Sequence, residues 1–533
     1  MIRGFRQIAF LTVISRVLGM VRDILFSHFF GLTGMMDIWS IAFKIPNLSR
    51  RIFGEGAAAS SLIPVYSEEL ANNPKSASDL ARTVVTVVFV MLAGIVVLGE
   101  IGIWYYCKFH VELNETRQML TLTALMLPYM CLICTVAVLA GLLNAHRHFA
   151  MPAAAPIILN VFIIGTMCVS AWLFKASAEV MIIVMAIGVL SAGLTQMILQ
   201  LLPMSKYGLV IYPAWHVKTA AFKRIMFLMG PMILGLTVTQ LNTLADDVVA
   251  KTLSATVEKG NFFEWFGRQI AYPVTEGSVA SLYFSQRLYQ FPLGVLGISL
   301  ATAIFPVLST AAAENNQKLL SQTIRQGIQA AFFVALPATV GLVLVARPLT
   351  ALIYQHGEFT VGDTSRVQIV LVAYSLGLCG YFLQQLVTRA FYSVKDSKWP
   401  ARTAVIAVII NVFLNLTLIW KMGVCGLALA TAICSYIQAA ILLVILNKKF
   451  DLALKYHLWP ILVKSAAGTV VMGIIGYFTG RVLVKLPDHW GFDLLHVAIL
   501  VLICAGIYTL VARLLGNEML GLLIKGRKTP KNG

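Results

Sequence analysis

The chain has 533 residues, 59% hydrophobic and only 12% charged, with a formal net charge of +18 and a mean hydropathy of +0.83. Soluble domains carry about twice that charged fraction, so a water-soluble globular protein is excluded. The positive charge is spread over many short loops with no basic domain, which excludes a nucleic-acid partner.

Apolar blocks such as 84–99, 153–174, 180–202 and 405–420 approach the roughly 20 residues that cross a hydrocarbon core at 1.5 Å rise per residue. They predict an all-α polytopic membrane protein with about 14 transmembrane helices. The spans fall near 7–30, 35–66, 83–106, 119–144, 152–174, 180–203, 225–250, 278–312, 327–346, 366–392, 401–420, 423–446, 459–480 and 494–514.

The first span follows Arg3 and Arg6 and has the look of a signal peptide. Its internal charges and its lack of a small-residue cleavage site predict that it is retained. Residues 15–23 read S-R-V-L-G-M-V-R-D. On a helix, Ser15, Arg16, Gly19, Arg22 and Asp23 share an arc of about 120°. A charge at the bilayer centre costs roughly 2.5–3.5 kcal/mol, so the stripe must face protein or a watery cavity. A structural Arg22–Asp23 pair is the alternative. It accounts for Arg16 less well, because only one acid is local.

The second span adds Asp37, Lys44 and Arg51 at heptad spacing, with Arg50 beside Arg51. Asp37 and Lys44 share a face. Pro46, Gly54 and Gly56 interrupt a segment too long for one straight crossing, which predicts a bent element. Snorkelling to water is the plain reading of Arg50 and Arg51. Glu100 and Arg389 sit near span ends, where snorkelling also suffices. Cys131 and Cys134 have C-x-x-C spacing inside an apolar helix with no histidine nearby, so they read as buried small hydrophobes.

Asp246 and Asp247 interrupt the seventh span. Segment 253–277, with Phe262-Phe-Glu-Trp-Phe266, is an aromatic loop of mixed charge, a composition that collects at the outer interface. Arg287 lies well inside the eighth span with no acid within a turn, a functional candidate by default. Asn411 and Asn415 face one side of the eleventh span, and Thr431 lies in the twelfth. With Asp246 they offer the oxygens a small hard cation takes, which makes sodium the one cofactor in view. Interhelical hydrogen-bonding glue is the other reading of the same residues.

With the N-terminus in the cytoplasm, cytoplasmic segments carry about 22 Lys/Arg and about seven acids, against about 11 of each outside, as the positive-inside rule asks. The turn His146–His148 and the basic tail Lys525–Lys531 are then cytoplasmic, and Asn261–Gly277 faces outward.

The chain resembles itself about 248 residues apart. Leu143–Pro152 and Phe391–Pro400 are basic turns, each closed by a proline that opens an apolar helix. A second echo pairs 43–67 with 289–309. Equivalent helices lie six spans apart and so run the same way, giving two six-helix lobes in a parallel repeat with a substrate site between them. The expected divisions are 1–210, 211–450 and 451–533, the last holding two extra helices and the tail.

Three stretches carry a family resemblance: residues 15–23, D-I-W-S-I-A-F-K-I-P-N-L-S-R-R-I-F-G-E-G-A-A-A at 37–59, and R-L-Y-Q-F-P-L-G-V-L-G at 287–297. Together they resemble the lipid II flippases, the MurJ/MviN family of the MOP transporter superfamily. The resemblance implies movement of an undecaprenyl-pyrophosphate-linked peptidoglycan precursor across the bacterial inner membrane by alternating access, with membrane lipids and the cell-wall synthesis machinery as partners. It implies a cationic central cavity in which Arg16, Arg22, Arg50 and Arg287 meet the substrate, with Asp37 also matching. Asp23 or Asp37 would orient the arginines or balance their charge. Gln286 and Gln290 depart from it, standing where relatives commonly carry acids, and loop 253–277 is longer. Guanidinium forks suit phosphate oxygens and replace the water that an anionic headgroup loses. A drug antiporter of the superfamily wants acids instead. A flippase for another polyprenyl-linked glycan would share the arginines. A membrane enzyme would need an acid–base or metal cluster, and neither that nor a P-loop is present.

Overall fold

The structure is a computed structural model that describes residues 2–52, 59–452, 454–484 and 490–525. The expected interruption at Gly54 and Gly56 and the basic tail beyond Lys525 lie outside the described residues. Among those residues, ten helices are long and apolar enough to cross a membrane, and one bent pair makes an eleventh. The chain divides into two compact units, Met1–Ala280 with His356–Glu358, and Ser281–Gln355 with Phe359–Gly533.

The first unit runs α1 (Ile2–Phe30), α2 (Gly34–Ser49), α3 (Ala59–Asn72), α4 (Pro74–Phe109), α5 (Asn114–Ala145), α6 (Ala150–Cys168), α7 (Ala178–Lys206) and α8 (Ala220–Thr252). The second expected span is thus two helices, α2 and α3, and α2 carries Pro46 near its end. The expected spans at 7–30 and 225–250 fall on α1 and α8. α5 is the central element, with 72% of its most apolar window buried. α2, α4 and α7 pack on it, α6 packs on α1 and α7, and α8 lies on α2 and α3. Asn73 starts α4 by accepting the N–H groups of Lys75 and Ser76, with Pro74 at the first helical position.

Segment 253–277 is not a plain loop. β1 (Ser254–Ala255) pairs in parallel with β4 (Val274–Thr275), and β2 (Phe262–Trp265) forms an antiparallel hairpin with β3 (Arg268–Ala271).

The second unit takes up the chain within α9 (Ser278–Pro292), which continues through a π-helical stretch, Leu293–Ile298, into α10 (Ser299–Ala313). α11 (Gln317–Tyr354) follows. α12 (Val361–Leu376) and α13 (Leu378–Ser393) form the bent pair, at 43°. Gly377 lies at the break, where a Cβ would come within 2.7 Å of Ala432. A reciprocal Thr360–Asp363 capping box starts α12. α14 (Lys398–Met422), α15 (Val424–Phe450), α16 (Leu454–Leu483), α17 (Trp490–Leu514) and α18 (Glu518–Lys525) complete the unit. The two extra spans, α16 and α17, pack on α11 through Phe333, Met472, Cys504 and Tyr508, and the Tyr508 hydroxyl donates to the Phe333 carbonyl at 2.6 Å.

The internal repeat has a geometric counterpart. Just past the end of α5 lies Arg147 at φ 58°, and just past the end of α13 lies Lys395 at φ 59°. In the first turn His148 N–H reaches Leu143 O at 2.9 Å and Arg147 N–H reaches Asn144 O at 3.0 Å. In the second, Asp396 N–H reaches Phe391 O at 3.0 Å and Lys395 N–H reaches Tyr392 O at 3.0 Å. Both are Schellman turns with a basic residue where glycine is usual.

Candidate functional site

α1 places part of its charged stripe, Ser15, Gly19 and Arg22, against α6. Arg22 and Asp23 are 8% and 7% exposed. The Arg22 guanidinium donates twice to one Asp23 oxygen, from Nε at 3.1 Å and Nη2 at 2.8 Å. Its Nη1 donates to Asn160 Oδ1 of α6 at 2.9 Å, and Asn160 Nδ2 donates back to the Ser15 carbonyl at 3.2 Å. Gly19 lies beneath this amide, 3.8 Å from Asn160 Nδ2 at its Cβ position. The group is therefore a hydrogen-bonded ion pair with a neutral third member, the form in which a buried charge is tolerated. Arg16 is exposed on the same helix.

Asp37 is fully buried, and both its oxygens are engaged. Oδ2 accepts the Gly277 N–H at 2.9 Å and Oδ1 accepts the Ala280 N–H at 2.7 Å, at the start of α9. Glu276 answers by accepting the Gly34 N–H at 2.6 Å, at the start of α2. Two helix N-termini are thus each met by a carboxylate from the other segment, which suits the positive end of a helix dipole. Gly277 makes the approach possible: at φ 81°, a Cβ there would lie 2.1 Å from the Leu32 carbonyl oxygen. Lys251 Nζ stands 4.0 Å from Asp37 and pairs with Glu115 of α5.

Further along α2, Lys44 pairs with Asp247 of α8 and donates to the Thr243 carbonyl at 3.3 Å. Asp246 and Asp247 are each 2% exposed. Arg50 is half-buried and donates to Asn47 Oδ1 at 3.0 Å, and Arg51 reaches Gln240 of α8 at 3.5 Å. Asp37 and Lys44, expected on one face, find separate partners.

In the second unit Arg287 is half-buried. Its guanidinium sits 4.8 Å from the Tyr283 ring centroid, with Nη2 3.3 Å from that hydroxyl. Gln286 Nε2 donates to the Tyr374 hydroxyl at 3.0 Å. Tyr289 stacks on Tyr374 at 4.8 Å and on Tyr381 at 5.4 Å. Asn411 and Asn415 are fully buried in α14. Asn415 Nδ2 donates to Asn411 Oδ1 at 2.9 Å, and Asn411 Nδ2 donates to Thr431 Oγ1 of α15 at 3.2 Å.

Sequence reading missed Asn160, Lys251, Glu115 and Glu276 as partners. Asn160 carried a signal, as a lone amide in an apolar helix at the start of one repeat echo. Among the described residues, no group of three or more His, Cys, Asp or Glu is arranged to hold a metal ion.

The family profile described as lipid II flippase MurJ matches residues 26–492. A probable lipid II flippase MurJ of Vibrio cholerae serotype O1 is 31% identical, over 97% of this chain and 96% of its own. Among solved structures, a lipid II flippase MurJ in an inward closed conformation matches with a TM-score of 0.74 at 23% identity, covering 96% of this chain and 99% of that one. An inward-facing multidrug resistance MATE transporter of the MOP superfamily matches with a TM-score of 0.61 at 14% identity, over 83% of this chain and 96% of its own. At those identities the solved structures speak to the fold.

Proposed function

The chain belongs to the lipid II flippase MurJ family, and from that premise we propose that it carries lipid II, the undecaprenyl-pyrophosphate-linked peptidoglycan precursor, across the bacterial inner membrane. The observation that carries the reading is Arg22, a guanidinium 8% exposed within an apolar helix of a chain that matches the family over 26–492. A pyrophosphate-sugar headgroup is anionic, and moving it bare through hydrocarbon would cost on the order of tens of kcal/mol. Guanidinium groups replace the lost water with charge-assisted hydrogen bonds. We assign Arg16, Arg22, Arg50 and Arg287 as groups that contact the pyrophosphate during transport. Asp23 orients Arg22, and Asp37 sets the start of α9, the helix that carries Arg287.

The orientation we propose puts both termini and the His146–His148 turn in the cytoplasm, as the loop charge supports. The cell-wall synthesis machinery is the proposed partner in the cell. The sodium reading of Asp246, Asn411, Asn415 and Thr431 stands as a further proposal from the sequence, supported by the donor types alone; Asp246 belongs to the first unit and the other three to the second. The hydrogen bond from Asn411 of α14 to Thr431 of α15 equally supports interhelical glue.

The deciding experiment is rescue of a strain conditionally depleted of its lipid II flippase. Wild type restores growth and headgroup translocation, and Arg287→Ala at normal membrane abundance restores neither. Failure of the wild type to rescue, when inserted and folded, overturns the substrate in favour of another polyprenyl-linked glycan.

A further inference from the structure

We propose that the hairpin in segment 253–277 is a membrane-interface anchor, whose Trp265–Phe266 tip seats in the boundary between headgroups and acyl chains. In the hairpin Phe263 pairs with Ile270 and Trp265 with Arg268. Side chains alternate between faces along a strand, so these four share one face. At the base of that face Phe263 and Ile270 are half-buried, with the Tyr272 ring 5.0 Å from Phe263. Toward the tip the same face runs into the open with Trp265, 56% exposed beside Arg268, and Phe266 in the turn is 93% exposed.

The turn itself is built at a cost. Phe266 has φ 49° and Gly267 has φ 73°, the two positive values that a type I′ turn requires. Asparagine is the usual first residue there, and a bulky aromatic with positive φ is an outlier. The chain thus holds a strained aromatic at the outermost point of a hairpin, where water is the least favourable surrounding for it.

The base of the hairpin is fixed. Lys259 Nζ donates to the Lys251 carbonyl of α8 at 3.2 Å, and the Glu258 carboxylate accepts the Glu115 N–H of α5 at 3.0 Å. The segment is thus tied to α5 and α8 just ahead of the hairpin. The segment starts directly after α8, on which the expected seventh span falls, and the membrane span Ser278–Ala313 begins directly after it, so its far end lies where a helix leaves the hydrocarbon. Trp and its aromatic neighbours collect at that level. The segment holds three acids and two bases, so its attachment rests on the rings and calls for no anionic lipid.

The test uses the full-length protein on a cysteine-free background, with an environment-sensitive fluorophore on Gln269→Cys, in phosphatidylcholine nanodiscs. Quenching by a nitroxide lipid is compared with quenching by aqueous iodide. The lipid quencher should act strongly and iodide weakly. Trp265→Ser with Phe266→Asn should lose most of the lipid quenching and gain iodide access, and the asparagine keeps the turn favourable. Equal, high iodide access with and without the aromatics overturns the proposal. So does shielding that appears only in native membranes and not in nanodiscs, which would assign the tip to a protein partner.

Discussion

The two units solve the same problem, polar groups inside an apolar fold, with different chemistry. The first uses full charges: Arg22 with Asp23, Lys44 with Asp247, and Lys251 with Glu115 and Asp37. The second uses neutral amides and hydroxyls: Asn411 with Asn415 and Thr431, Gln384 with Gln438 at 2.7 Å, and Gln286 with Tyr374. The contrast extends to the helices that follow the two repeat turns, which carry Asn160-Val-Phe and Asn411-Val-Phe: Asn160 holds an arginine, whereas Asn411 holds a threonine. Charge pairs are the stiffer because a stranded buried charge costs about 3–5 kcal/mol, against about 1–3 kcal/mol for a stranded neutral group.

That difference is broken most directly at Lys44 and Asp247. Either Lys44→Met or Asp247→Leu alone leaves a buried charge without its partner and should cost about 3–5 kcal/mol of stability. The double change removes both charges and should restore most of the loss. Thermal melting of the purified protein, with membrane abundance beside it, checks both. A single variant as stable as wild type would show that the pair does not hold α2 to α8.

The arginines sharpen the comparison. Losing one charged contact to a desolvated phosphate should cost about 2–5 kcal/mol of binding, so both Arg22→Ala and Arg287→Ala should abolish headgroup translocation. Their stabilities should diverge. Arg22→Ala strands Asp23 and lowers the melting temperature, and Arg22→Ala with Asp23→Ala restores stability without restoring transport. Arg287 is half-buried over the Tyr283 ring, whereas Arg22 is buried, so Arg287→Ala should lower the melt less than Arg22→Ala does. Lysine at either position keeps the charge and loses the planar fork, giving partial rescue. If both alanine variants are abundant and transport at near wild-type rate, the cationic mechanism is wrong.

What could be read in advance follows the range of the physics involved. Spans were legible because hydrocarbon thickness sets a length that any window can measure. The α1 stripe was legible because helical periodicity is local. Periodicity names a face and never a partner, so Lys44 finding Asp247, about 200 residues away, and Asp37 finding the start of α9 were out of reach. The hairpin escaped for a local reason. Its turn carries Phe266-Gly267 in place of the Asn-Gly that signals a type I′ turn, so the segment read as a loop with interfacial rings.

Asn411 tests the neutral side. Polar pairs between membrane helices average about 0.6 kcal/mol and reach about 1.7, so Asn411→Leu should lower stability by an amount in that range, well below the Lys44 or Asp247 singles. The sodium proposal adds a condition. Wild type should show a sodium-specific thermal shift over potassium, and both Asp246→Ala and Asn411→Leu should lose it. No shift in wild type, or a full shift in Asp246→Ala, removes the site and leaves the hydrogen-bonded glue.

The matching Schellman turns give the smallest effects and separate the units by pH. In the first, Tyr66 Oη is 2.8 Å from His146 Nε2 and the imidazole stacks 4.7 Å from Tyr207. Burial holds its pKa below the ordinary 6.5. In the second, a hydrogen bond from Lys449 at 2.7 Å leads the interactions that hold Asp396 below the ordinary 3.8. Both folded-state values are depressed, so both contributions are complete above the unfolded pKa and decline as pH falls from it toward the folded value. The windows differ: the histidine's contribution is lost below pH 6.5, and the aspartate's only below pH 3.8. Melting temperature should therefore decline gently from pH 7 to pH 5, and His146→Gln should flatten that decline. Asp396→Asn should leave the slope intact and shift the whole curve by about 0.2–1 kcal/mol at most, since Lys449 is partly exposed and screened. A slope between pH 7 and pH 5 that survives His146→Gln would move the titration away from the first unit's turn.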